Sequence, residues 1–182
     1  MAEGKAAKPV RVLAVSGSLR RASSNTALVE AAVRVAASPV EVSLYRELAR
    51  IPPFNPDLDE ETIEAVHGFR TALDSSDAIL ISSPEYAHGV SGVLKNALDW
   101  VVGSGELIDK PIALVNASRR ATLAHAALKE TLRTMSALVV EEASIVVPLD
   151  GRAWDANDIA TDADLSTALR DALAALAREV PS

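Results

Sequence analysis

Five short apolar runs, each followed by a segment with helical spacing, constrain this chain more than any other feature. VRVLAVS (10–16), AILISS (78–83), IALVNAS (112–118) and ASIVVP (143–148) are nearly continuous apolar runs, while VEVSLY (40–45) alternates apolar and polar residues as an edge strand does. Residues 25–37 carry two helical stripes, Leu28, Ala32, Val35 and Val29, Val33, Ala36. Ile63, Val66, Phe69 and Leu73 mark a second helix, and residues 91–101 a third through Val93, Leu94, Ala97, Leu98 and Val101. Leu128, Leu132, Met135 and Leu138 mark a fourth, and Leu165, Leu169, Leu173, Leu176 and Val180 a last one. IPPFNPDLD (51–59) holds three prolines and reads as a loop.

Alternating strands and helices imply a parallel sheet covered on both faces. Right-handed crossovers leave few topologies for five strands. The expected fold is α/β, a flavodoxin-like three-layer sandwich with strand order 2-1-3-4-5. In such sheets ligands sit at the carboxyl ends of the strands, near the switch point between strands one and three. The loops at 16–25, 83–92 and 116–122 are therefore the candidate functional segments.

Bulk properties narrow the classes. The length of 182 residues fits one domain, expected over 9–182 behind a loose tail at 1–8. The chain has no cysteine, which excludes disulfides, thiolate metal sites and a cysteine nucleophile. A formal net charge of −7 opposes binding to nucleic acid or an anionic membrane. No apolar run is long enough to span a bilayer, and MAEGKAAKPV lacks an apolar signal core, so the expected location is the cytoplasm.

The first loop, SGSLRRASSN (16–25), places Ser16, Ser18, Ser23, Ser24, Asn25, Thr26 and Arg20 or Arg21 at the mouth of a helix. Free amides, the helix dipole, hydroxyls and a guanidinium together form a phosphate site. Neither G-x-G-x-x-G nor a P-loop is present, and the composition suits a terminal phosphate monoester. In the loop after strand three, Pro84 stops the strand, Gly89 and Gly92 allow close approach of backbone, and Tyr86 offers an aromatic face to a planar heterocycle. In NASRRATLAH, Asn116 and Ser118 can hydrogen-bond, and Arg119 and Arg120 bring charge to the same end of the sheet.

SGSLRRASSN together with PEYAHGVSGVLKNALDW resembles the NADPH-dependent FMN reductase family of flavodoxin-like quinone, chromate and azo-dye reductases, and FNPDL (54–58) resembles that family's loop after strand two. The resemblance spans about residues 10–148. It implies that Ser16, Ser18, Arg20, Ser24, Asn25 and Thr26 hold the phosphate and ribityl end of FMN. It implies that Pro84, Glu85, Tyr86, His88 and Gly89 line the isoalloxazine ring, and that Asn116 and Ser118 border its pyrimidine edge. NADPH or NADH would be the co-substrate and a quinone, azo compound, metal oxyanion or flavin the acceptor, with no catalytic side chain required because the flavin carries the chemistry. Relatives commonly have a glycine-rich loop after strand four, where this chain has SRRAT. The family also implies a homodimer or homotetramer, with RIPPFNP and Trp100 as expected contact surface.

Other classes fit less well. There is no G-x-S-x-G elbow for a hydrolase and no histidine pair at zinc spacing, and His67 and His125 fall within helical segments. The acidic stretch DGRAWDANDIATDAD (150–164) does not match a calcium loop and reads as a solvated loop around Trp154. A response regulator would carry acids where this chain has Ser16-Gly17 and Ser83-Pro84. An electron carrier without NAD(P)H activity remains the alternative.

Overall fold

The computed structural model describes residues 8–149 and 153–181. The expected tail at 1–8 thus lies, apart from exposed Lys8, outside the described residues, as do residues 150–152. The main sheet contains β1 (Val10–Ser16), β2 (Val40–Tyr45), β3 (Ala78–Ser82), β6 (Pro111–Leu114) and β7 (Leu138–Val139). Its order is β2-β1-β3-β6-β7, all parallel, which is the expected 2-1-3-4-5 order. A two-stranded hairpin, β4 (Glu85–Tyr86) and β5 (Gly89–Val90), separates β3 from the next helix.

Period-two alternation divides the apolar strands between two cores. Val12, Ala14, Leu80, Ala113 and Val115 face one side and pack with Leu28, Val29, Ala32, Ile159, Leu169 and Leu176. Those partners come from α1 (Ser24–Val35), α5 (Ala156–Thr161) and α6 (Ala163–Arg178). Leu13, Val15, Ile79, Ile81, Ile112 and Leu114 face the other side, toward α2 (Glu64–Asp74), α3 (Gly92–Asp99) and α4 (Thr122–Thr134). Burying one such Leu or Ile contributes about 1.5–3 kcal/mol, so both layers are needed to order the sheet.

Three expectations change. The fifth strand was expected at 143–148, with Leu138 ending a helix. Instead α4 stops at Thr134, Ser136 takes a left-handed φ of 61°, and Leu138 pairs with Pro111 in β7. The chain then turns away and returns, so that Val146 bridges Asn116. Ser144 fills the interruption: its Oγ donates to Val140 O at 2.8 Å and accepts from Leu114 N at 3.1 Å. Second, the acidic stretch after residue 155 is not a solvated loop. Asp155 caps α5 through Asn157 N and Asp158 N, Asp162 caps α6 through Asp164 N and Leu165 N, and Trp154 packs against the first core. Third, Trp100 is 2% exposed and its Nε1 donates to Pro52 O at 2.8 Å, so it is core rather than contact surface. Phe54 alone of that pair is exposed, with its ring edge-on to Trp100.

Candidate active site

Three loops meet at the carboxyl ends of β1, β3 and β6. The first starts with Gly17, whose N–H donates to Ser82 O at 2.8 Å. A Cβ on Gly17 would lie 2.6 Å from Ser83 Oγ and 3.0 Å from both Ser83 Cβ and Ser91 Oγ. No side chain fits there, a close approach that the sequence reading did not assign to Gly17. The loop's hydroxyls largely shape the loop itself. Ser16 Oγ and Thr26 Oγ1 share a 2.8 Å hydrogen bond, and Ser16 Oγ and Ser18 Oγ accept from Ser18 N and Arg20 N, each at 3.3 Å. Ser23, not Ser24, is the N-cap of α1, accepting from Thr26 N. Asn25 Oδ1 accepts from Ser82 Oγ at 2.9 Å. The first-turn amides of Ser24 and Asn25 have no partner among the described residues, leaving an anion-binding helix terminus.

The second loop is the β4–β5 hairpin. Its two turn residues, Ala87 and His88, have φ of 49° and 61°. Two successive left-handed residues are the hairpin turn normally built from Asn-Gly, so here the backbone carries strain at the site. Glu85 anchors the hairpin: Oε2 accepts from Ala124 N at 2.9 Å in the first turn of α4, and Oε1 lies 3.0 Å from His88 Nδ1. The Ala124 amide first, then His88, hold the Glu85 carboxyl below the usual carboxylate range. A Cβ at Gly89 would meet only Tyr86 O at 3.6 Å, and at Gly92 nothing within 4 Å. Packing within the protein therefore does not require glycine at either position.

The third loop is closed on itself. Asn116 is buried, its Nδ2 donating to Ala121 O and its Oδ1 accepting from Ser118 N, both at 3.0 Å. Ser118 Oγ accepts from Arg120 N at 3.2 Å. Asn116 is thus the staple of the loop.

A cleft of about 340 Å³ joins the three loops. Of the expected site residues, Ser24, Asn25, Pro84, Glu85, Asn116 and Ser118 line it, and Arg120 lines it too. Ser16, Ser18, Arg20 and Thr26 lie outside that lining, in the first loop and the start of α1; Tyr86, His88 and Gly89 lie on the hairpin. Tyr86 is 56% exposed. A larger groove of about 470 Å³ sits at the opposite end of the sheet, beside Val10 and Val40, away from the strand ends where ligands bind in this topology.

Arg11, Arg46, Arg50, Arg70, Arg133 and Arg178 each hold a carboxylate. Among the described residues Arg20, Arg21, Arg34, Arg119, Arg120 and Arg170 hold none, and four of these six stand on the first and third loops. In a chain of net charge −7 this concentrates four such cations on two loops at one end of the sheet. No described residues form a cluster of three or more His, Asp or Glu able to hold a metal ion. No described helix is long and apolar enough to cross a membrane.

The family described as NADPH-dependent FMN reductase matches residues 10–151. A probable NADPH:quinone oxidoreductase of Oryza sativa is 41% identical over 118 residues, 61% of this chain and 57% of the relative. An NAD(P)H-dependent FMN reductase of Pseudomonas aeruginosa is 36% identical over 112 residues, 60% of each. The match thus spans less than two thirds of either relative. Among solved structures, the flavoenzyme NAD(P)H:(acceptor) oxidoreductase FerB of Paracoccus denitrificans superposes with a TM-score of 0.74 at 26% identity, covering 94% of this chain and 97% of that one. With its fold, its loops and this match over most of its length, the chain belongs to the NADPH-dependent FMN reductase family.

Proposed function

We propose that this protein binds FMN in the cleft and uses it to pass reducing equivalents from NAD(P)H to a small acceptor, a quinone foremost. The observation that carries the reading is the pair of free first-turn amides of α1 at a cleft lined by Arg120, with Arg20 and Arg21 on the loop that leads into those amides. That arrangement fits an anionic phosphate monoester and leaves cationic charge over for a second anionic ligand. The names of the rice and Pseudomonas relatives support the quinone and flavin assignments. Azo compounds and metal oxyanions are the other acceptors this reading admits.

Bound FMN supplies the two-electron chemistry. The protein's own part is placement. The amides of Ser24 and Asn25, with Ser18 and Arg20, hold the phosphate. Ser16, Thr26 and Ser23 keep that loop in shape, and the hairpin from Glu85 to Val90 presents backbone and the Tyr86 ring to the flat face of the cofactor. Glu85, hydrogen-bonded to the start of α4, fixes the hairpin relative to the third loop. No side chain is needed as a general base. Pairing of two copies belongs to the same reading, with exposed Phe54 and Leu58 as contact surface.

The test is release of the cofactor by heat followed by chromatography, and NADPH oxidation with benzoquinone under argon. FMN and quinone-dependent oxidation support the reading. FAD, or no flavin even after reconstitution, rejects it. Bound FMN without NADPH or NADH oxidation would make the protein an electron carrier instead.

A further inference from the structure

We infer that Arg120 is a flavin-binding residue that makes the site hold two-electron-reduced flavin more tightly than oxidised flavin; this role rests on the FMN reading above. The reason lies in how the third loop spends its donors. The amides of Ser118 and Arg120 are taken by the Asn116 and Ser118 side chains, Ala121 N turns back toward Ser118 O, and the Asn116 amide group is occupied within the loop. A glycine-rich loop would offer backbone N–H groups to a ligand, and this one has closed most of them off. The cationic residue it contributes to the cleft lining is Arg120.

Its neighbours do not neutralise it. Arg120 holds no carboxylate. Glu85, the acid on the same cleft, directs one oxygen to Ala124 N and the other to His88. Arg119 and Arg120 are both exposed, and of the two only Arg120 lines the cleft.

The chemistry of reduction gives such a cation a preference. Hydride from NAD(P)H carries two electrons and one proton. The nicotinamide leaves as NAD(P)⁺, and the ring system gains one negative charge until a second proton arrives. That charge spreads over the pyrimidine side of the ring, the side that bears the carbonyls. The polar wall formed by Asn116, Ser118 and Arg120 is the part of the cleft that matches it chemically. A partly exposed cation there favours the reduced anion over the neutral oxidised ring.

The experiment measures the midpoint potential of the flavin-loaded protein by dye equilibration, for wild type, R120Q, R120K and R119Q. Dissociation constants for oxidised FMN and riboflavin are measured alongside. R120Q is expected to lower the preference for reduced over oxidised flavin by about threefold to tenfold, read as a fall in midpoint of about 15–30 mV. R120K should keep most of the wild-type value, and R119Q should move it less than R120Q does. Three results overturn the role: an unchanged R120Q midpoint; equal loss of oxidised and reduced FMN with riboflavin unaffected, which places Arg120 on the phosphate; or a raised NADPH KM at constant midpoint, which places it on the nicotinamide cofactor. A wild-type protein that binds no flavin overturns the FMN reading itself, and this role with it.

Discussion

Gly17 and Arg20 show two kinds of dependence at the residue scale. Gly17 is set by packing: the Ser83 hydroxyl can rotate away from a new methyl group, but Ser83 Cβ at 3.0 Å cannot move without its backbone. G17A is expected to cost roughly 1–3 kcal/mol, the range for overpacking a close contact. Urea denaturation of the cofactor-free protein checks this, and a midpoint equal to wild type would mean that the loop yields. Arg20 is set by the ligand. It holds no carboxylate in the protein, and its removal leaves no buried charge behind. R20A is expected to keep wild-type stability and to weaken FMN binding by roughly 1.5–3 kcal/mol, the scale of a charge-assisted hydrogen bond. Fluorescence titration with FMN reads this, and an unchanged dissociation constant would remove Arg20 from the phosphate site. The serines of the first loop were legible as a cluster because they are adjacent in sequence. Their division of labour was not, because Ser16 reaches Thr26 and Ser82 reaches Asn25 only after β1, α1 and β3 have packed.

At the element scale, β1, β2, β3 and α1 were legible within a residue or two, since each carries its own periodicity. The fifth strand was not. ASIVVP has strand composition, but Ser144 inserts its hydroxyl between Leu114 N and Val140 O, and a side chain completes the ladder in place of backbone. The hairpin after β3 was missed because its turn is Ala87-His88, without the glycine or asparagine that announces such turns. α5 carried a readable signal, Asp155 and Asp158 at capping-box spacing, but its short apolar face and its acids suggested solvent instead. Between elements, Asp77 ties the start of β3 to β1. Its carboxylate accepts from Arg11 N at 2.8 Å, Nε at 3.1 Å and Nη2 at 2.8 Å, and the Arg11 side chain holds its pKa down to about 2. A carboxyl whose folded pKa is depressed stabilises the fold above its unfolded pKa and loses that contribution as pH falls through the folded value. Stability from this pair is therefore present at pH 5 and above, and fades between about pH 4 and pH 2. Because the Arg11 side chain is 47% exposed, D77N is expected to cost only about 1–2 kcal/mol at pH 7. The gap between variant and wild type should narrow toward pH 2. A gap that stays constant with pH would assign the loss to packing.

At the scale of the whole molecule, the ion pairs segregate charge. Away from the site most arginines meet carboxylates: Arg70 alone engages Glu60, Glu61 and Glu106, and Arg11, Arg133 and Arg178 have their own partners, while Arg34 and Arg170 hold none. The remaining acid gives the chain its net −7, while Arg20, Arg21, Arg119 and Arg120 stay without a carboxylate partner on two of the loops that meet at the cleft. An anionic ligand approaching at random meets an overall repulsive body whose cleft mouth carries local positive charge. Attraction over that distance acts on encounter, and salt weakens it because the screening length falls from about 10 Å at 0.1 M to about 3 Å at 1 M. The chemical step inside a closed complex is screened far less. The expected outcome is that raising NaCl from 0.02 M to 0.5 M increases the KM for NADPH severalfold and slows FMN association with the cofactor-free protein, while kcat changes little. The KM for a neutral benzoquinone should stay nearly constant, which separates steering from a general effect of salt on the fold. Charge-neutralising R20Q/R21Q and R119Q/R120Q variants should each flatten the NADPH dependence. A slope unchanged in both would place the NADPH entry path away from these loops, and a matching rise in the quinone KM would assign the effect to stability.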